Sequence, residues 1–376
     1  MTVRIAICGG GNVAHVLAGL LSQRKGLEIR VLTRKPDLWG ESIRVLDDQN
    51  RSRTGRPHLI SNQASEVISG ADLVILALPA YARAAVLSMI APHLTGNVWV
   101  GSLPGSGGFD WLAQKALRGA SANVSIFGAQ RVPHISRIIH YGSEVLGCAK
   151  KEGIAIAAIP RSRCSEIASI LEDLLQMPVS CLNNFLEITL ATSNPILHPA
   201  RMYTLFHDYK RDRFWQESIL FYEGWDDAAS ELLVRMDREV HDIFTHIPLD
   251  LSYILPLLEH YGVRNAQELT RKISGITSFK GIPTPMLETE NGFVPDFQSR
   301  YFSEDIPFGL LIIKGVAAIT GTPTPLIDTV LTWAQGMMNK EYIVDGKLEG
   351  KDIAETPIPQ NAGIATTVDL VRQATL

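Results

Sequence analysis

A short β-branched run, VRIAIC (3 to 8), stops at three consecutive glycines and passes at once into a helical pattern, NVAHVLAGLLSQ. This junction, Gly9-x-Gly11-x-x-Ala14, restricts the fold more than any other feature of the chain. In a strand-to-helix turn the first glycine permits the tight bend, the second lets a ligand approach the backbone, and the small third residue lets helix and strand pack closely. The helix start offers unbonded N–H groups and the positive end of a dipole, which suit a pyrophosphate. A tight turn alone could demand the same glycines. Its position at the head of a βαβ pattern argues for a dinucleotide, held by Gly9, Gly11, Asn12, Val13 and Ala14.

The βαβ pattern continues to about residue 183. Further strand-like runs are EIRVLT (28 to 33), DLVILAL (72 to 78), VWVGSL (98 to 103), VSIFGA (124 to 129) and IAIAAI (154 to 159). They alternate with helical stretches, as a parallel sheet requires. Val13, Val16, Leu17, Leu20 and Leu21 recur at helical spacing, so one face can lie on the sheet. Beyond Asn183 long helical stretches take over, at 217–244, 251–261, 308–321 and 325–338. The 376 residues also exceed the usual domain of about 150. The expected fold is α/β, with an N-terminal Rossmann-type parallel-sheet domain over 1–183 that binds NAD(P), followed by a mostly α-helical substrate and catalytic domain over 184–376. The segment 273–302, rich in Gly, Pro, Thr and Ser, is expected to be an ordered loop at the domain interface.

Cofactor choice is written at the end of the second strand. NAD-selective turns place a carboxylate there to accept from the ribose 2′-OH. Here the chain reads Thr33-Arg34-Lys35, a hydroxyl and two cations that suit a 2′-phosphate. NADPH is therefore expected over NAD, the alternative being that the two cations are a solvated strand end. Pro79 in LALPAYA and the glycines of GSLPGSGG (101 to 108) follow strand ends where ligands of open α/β sheets bind.

Other partners are excluded by composition. Thirty-five basic against 39 acidic residues leave a net charge of -4, with no basic stripe, so nucleic acid is not expected. The best membrane candidate, FGLLIIKGVAAI, is broken by Lys314. Cys8, Cys148, Cys164 and Cys181 stand far apart without a C-x-x-C pair, which reads as reduced thiols in the cytoplasm. His241 and His246 are five apart, the wrong spacing for a helical metal site, and no metal is expected. The apolar helices of the second half could build a core or the interface of a homodimer.

TSNPILHPAR (192 to 201) sets His198 between Pro195 and Pro199, where the helix should kink. Alone, such a histidine is more often a hydrogen-bonded core residue. In SRYFSEDIPFGLL (299 to 311), Asp305 reads alone as a helix-start residue and Arg300 as a surface cation.

Taken together, GGGNVA, PHISRIIHYG (133 to 142) with Lys150, SNPILHP and RYFSEDIPFGL resemble the octopine and nopaline (opine) dehydrogenase family, nearly end to end and in order. The stretch 333–352 and the Thr33-Arg34-Lys35 strand end are similar to the branch that makes opine metallophores with NADPH. His134 stands where relatives often carry Trp. The resemblance implies that His198 is the acid/base, that Asp305 partners it, and that Arg300 binds substrate carboxylate or couples cofactor binding to domain closure. It implies an NAD(P)H-dependent condensation of an α-keto acid with an amino acid-like amine through an imine. The chemistry agrees, since loss of the carbinolamine oxygen needs a proton donor and imidazole exchanges protons at cellular pH. Reduction of a keto acid to a hydroxy acid is the alternative enzyme reading, and a non-catalytic dinucleotide sensor the third.

Overall fold

The computed structural model describes residues 2–49, 51–191 and 193–376. The chain divides into two compact units, Met1–Ala191 with Arg372–Leu376, and Thr192–Val371. In the first unit β1 (Val3–Cys8), β2 (Leu27–Leu32), β5 (Leu59–Ser61), β6 (Leu73–Leu76), β7 (Asn97–Ser102), β8 (Asn123–Ala129), β11 (Ile154–Ile159) and β12 (Val179–Cys181) form one sheet. The strand order is β12-β11-β8-β7-β6-β1-β2-β5. Each strand inferred from the apolar runs is present within two residues of its expected bounds. The pairing of β8 with β11 is antiparallel, so the sheet is parallel only up to β8. Cys8 stands opposite both Leu32 and Leu76, so the chain leaves β1, β2 and β6 at one edge, at Gly9, Thr33 and Ala77. With β2 on one side of β1 and β6 on the other, this edge is the switch point at which open α/β sheets bind ligands.

The helix Asn12–Leu21 is buried on more than one face. Val16, Leu17 and Leu21 pack in one core with Ile5, Ile7 and Ile29 of the large sheet, at about 1.5–3 kcal/mol each. Ile43, Val45 and Val145 of a second sheet join the same cluster. That sheet consists of β3 (Ile43–Leu46), β4 (Ser52–Gly55), β9 (His134–His140) and β10 (Glu144–Lys150), in the order β4-β3-β10-β9. Its strands interrupt their apolar residues with polar or charged ones, as in HISRIIH and EVLGCAK, so no continuous apolar run revealed them. PHISRIIHYG forms β9 and the hairpin into β10; the side chains of Cys148 and Lys150 lie outside the described residues.

One expectation needs correction. Cys164 and Cys181 are not separate thiols but form a disulfide, with Cα atoms 6.1 Å apart. The β11–β12 register, with Ile156 opposite Cys181, carries the second cysteine to the start of the helix Cys164–Leu175. Cys8 is free, and burial pushes its thiol up to about 12. The compact units divide after Ala191, and Phe185 and Ile188 are buried in the first unit's core. The C-terminal residues return to that unit, where Ala374 O accepts from Phe185 N.

The second unit is mostly helical, with long helices Asn194–Phe206, Asp227–Phe244, Leu311–Thr320 and Pro325–Met337. The helix expected from residue 217 begins only at Asp227, where the Asp226 carboxylate caps it by accepting from Ala229 N at 2.9 Å. Buried Arg201 holds the preceding stretch irregular, its guanidinium bonded to Gly224 O and to Asp226. The stretch 251–261 is helical only over Leu257–Tyr261. Within 273–302 lies a hairpin, β13 (Met286–Thr289) and β14 (Gly292–Pro295). Leu233, Leu311, Val316 and Leu331 are buried, so the apolar helix faces build this unit's own core. Buried Lys314 is paired with Asp328 at 2.6 Å. Among the described residues no helix is long and apolar enough to cross a membrane, and no cluster of His, Cys, Asp and Glu could hold a metal.

Candidate active site

The first unit presents the glycine turn. Gly9 has φ +145°, and a Cβ there would collide with Ala77 O. On Gly10 a Cβ would stand 2.7 Å from Tyr141 Oη and 2.8 Å from Thr33 Oγ1, so this face of the turn is closed. At Gly11 a Cβ would meet nothing within 4 Å among the described residues, and no side chain caps the helix it begins. The open face and uncapped helix start fit a pyrophosphate, as the motif requires. Ala14 is fully buried. Asn12, expected on the dinucleotide, has its Oδ1 engaged by Ile138 N at 2.9 Å.

His15 locks the turn from behind. Its Nδ1 is 3.0 Å from Gly11 O and its Nε2 2.9 Å from Gly142 N. A carbonyl can only accept and an N–H only donate, so the ring is neutral with its proton on Nδ1. Burial lowers its pKa in keeping with that. The imidazole stacks on Trp39 at 4.0 Å and meets Tyr141 edge-on. His15 and Tyr141 were missed in the sequence, although His15 directly follows the motif.

At the second strand end Thr33 is buried, while Arg34 and Lys35 are exposed. Pro79 precedes the helix Ala80–Ile90. From that helix buried Arg83 donates to Ser106 O and ties it to the loop GSLPGSGG. Asp110, in the first turn of Phe109–Leu117, is fully buried, which raises its carboxyl to about 7.

The second unit brings His198 and Asp305 together. The helix bearing His198 runs on through Pro199. Asp305 directly precedes the π-helical turn Ile306–Leu310. His198 Nδ1 is 2.7 Å from Asp305 Oδ2, and its Nε2 is 3.0 Å from the hydroxyl of Tyr222. The ring of Tyr301 stacks on the imidazole at 4.0 Å, and Phe221 meets it edge-on at 5.5 Å. Burial above all raises the pKa of the Tyr222 and Tyr301 phenols. Arg300 has an exposed side chain whose Nε donates to Glu304 at 2.8 Å. Tyr222 was missed because its stretch reads as helix. A carboxylate on Nδ1 leaves Nε2 as the nitrogen that exchanges protons, an arrangement suited to acid/base chemistry.

The family described as NAD/NADP octopine/nopaline dehydrogenase, alpha-helical domain, matches residues 181–338, and ketopantoate reductase PanE/ApbA matches residues 5–124. The chain is 33% identical to tauropine dehydrogenase of Arabella iricolor and to octopine dehydrogenase of Pecten maximus, over 97% of this chain and 98% of each relative. A solved octopine dehydrogenase with NADH and L-arginine has a TM-score of 0.89 and 32% identity over 98% of both chains. Yersinopine dehydrogenase with bound NADP+, at 15% identity and a TM-score of 0.69 over 99% of this chain and 98% of that one, shares the fold. The chain belongs to the octopine/nopaline (opine) dehydrogenase family. It is an NAD(P)-dependent oxidoreductase whose reaction is the reductive condensation of a keto acid with an amino acid.

Proposed function

We propose that His198, oriented by Asp305, is the acid/base of this condensation, on the strength of the 2.7 Å contact between Nδ1 and the carboxylate. The amine attacks the keto carbon, and the carbinolamine oxygen must leave as water. A proton from the Nε2 side of His198 makes that departure possible, while Asp305 holds the tautomer and supports the imidazolium. The reduced nicotinamide supplies the hydride that the C=N bond accepts. The first unit would hold the dinucleotide at Gly9, Gly11, Val13, Ala14 and Pro79, with Thr33, Arg34 and Lys35 turned to a 2′-phosphate, which favours NADPH. Arg300 would exchange Glu304 for the carboxylate of a substrate. Placement in the metallophore branch would rest on residues 333–352; the higher identity to octopine and tauropine dehydrogenases weighs against it. A cytoplasmic setting keeps support from free Cys8 but loses it from the Cys164–Cys181 bond.

The test is His198→Ala. Turnover should fall by about 10²-fold or more, with dinucleotide affinity unchanged. Near-normal turnover would make the histidine structural. A second reading, keto-acid reduction to a hydroxy acid, draws on the ketopantoate reductase match, but that match covers only residues 5–124 of the chain.

A further inference from the structure

Both ring nitrogens of His198 are bonded inside the protein, to Asp305 and to Tyr222. One face is covered by Tyr301 and an edge by Phe221. The imidazole is 8% exposed and Tyr222 7%, whereas Tyr301 is only partly buried. With Nδ1–H given to Asp305, the lone pair of Nε2 takes the Tyr222 proton when His198 is neutral, and the direction reverses when it is charged. A substrate hydroxyl reaches Nε2 only by displacing a buried phenol or by acting through it. Tyr222 is held against displacement, stacked on Phe279 at 4.3 Å and bonded to His198 Nε2 at 3.0 Å.

We infer that Tyr222 carries the proton between His198 and the substrate. The inference rests on His198 being the acid/base. In the condensing direction His198 Nε2 releases its proton to Tyr222 Oη, and the Tyr222 proton passes to the carbinolamine oxygen. The C–O bond breaks, water leaves, and the nitrogen lone pair completes the C=N bond. The phenol gains one proton and loses one, and His198 ends neutral. Burial disfavours the phenolate, so the two shifts are concerted rather than stepwise. The titratable groups facing Tyr222 are His198, Asp305, Tyr261 and Tyr301.

The test is Tyr222→Phe in the full-length enzyme, which keeps the ring and removes only the hydroxyl. We expect kcat to fall by about 10²-fold with an unchanged KM for NAD(P)H. The proton inventory of kcat in mixed H2O and D2O should pass from curved in the wild type to linear in the variant. A merely structural hydroxyl would leave the inventory unchanged. Wild-type kcat and an unaltered inventory in Tyr222→Phe overturn the relay. If Tyr222→Phe does not fold, the wild-type inventory carries the test, and a linear plot overturns the relay. Full activity in His198→Ala would instead remove the acid/base reading itself. Loss in His198→Ala with wild-type behaviour in Tyr222→Phe would remove the relay alone.

Discussion

At the scale of single residues, two exposed cations stand where cofactor choice is made. Arg34 and Lys35 follow buried Thr33 at the end of β2. A guanidinium can grip a phosphate with two parallel hydrogen bonds, which a lysine cannot. Such charge-assisted bonds contribute about 1.5–3 kcal/mol, or about 10- to 10²-fold in affinity. Arg34→Ala should therefore weaken NADPH by that factor and leave NADH nearly untouched, as read by fluorescence titration of each. Added salt should narrow the difference, because the site is open to solvent. Equal losses for both cofactors would assign Arg34 to the strand end alone. The same chemical logic makes His198 legible only in part: its residue type and flanking prolines stand in the sequence, but its partners lie 107 and 24 positions away.

Among the elements, the glycine turn depends on the hairpin between β9 and β10. His15 joins the two, bonding Gly11 O and Gly142 N from within the helix Asn12–Leu21. Its pKa is lowered by burial, so the folded protein takes up that proton less readily than the unfolded chain. The associated stability is intact above the unfolded value near ~6.5 and is lost as pH falls below it toward the lowered folded value. The melting temperature should drop as the pH is taken from about 7.5 to about 5.5. His15→Gln, which offers one donor and one acceptor and does not titrate, should flatten that slope. Parallel slopes in the two proteins would show that another group governs it. The periodicity of Val16, Leu17 and Leu21 foretold one buried face of this helix; the second sheet over it rests on strands whose apolar residues are interrupted by polar ones, so no continuous run marked them.

For the whole molecule, the reaction couples three participants, and cofactor oxidation should require two of them besides the dinucleotide. With pyruvate or another α-keto acid alone, NAD(P)H oxidation should be negligible. It should appear on adding the matching amine, and mass analysis should find the secondary amine. Rapid oxidation by keto acid alone, with a hydroxy acid as product, would favour the reductase reading. By itself the sequence determined whatever depends on neighbours a few positions apart. Gly9 must bend, Gly11 must stay bare, and the apolar runs must pair as strands, because local sterics and periodicity act over a single turn or strand. Tertiary structure alone decided what depends on distant chain segments meeting: β11 running antiparallel, Cys164 bonded to Cys181, and His15 bonded to Gly142 across 127 positions. It also decided that Tyr222 leaves the helix its stretch predicts, because Arg201 holds that stretch open from another helix and the phenol is free to reach His198. A side chain's partner is set by the packing of whole elements, and no spacing along the chain records it.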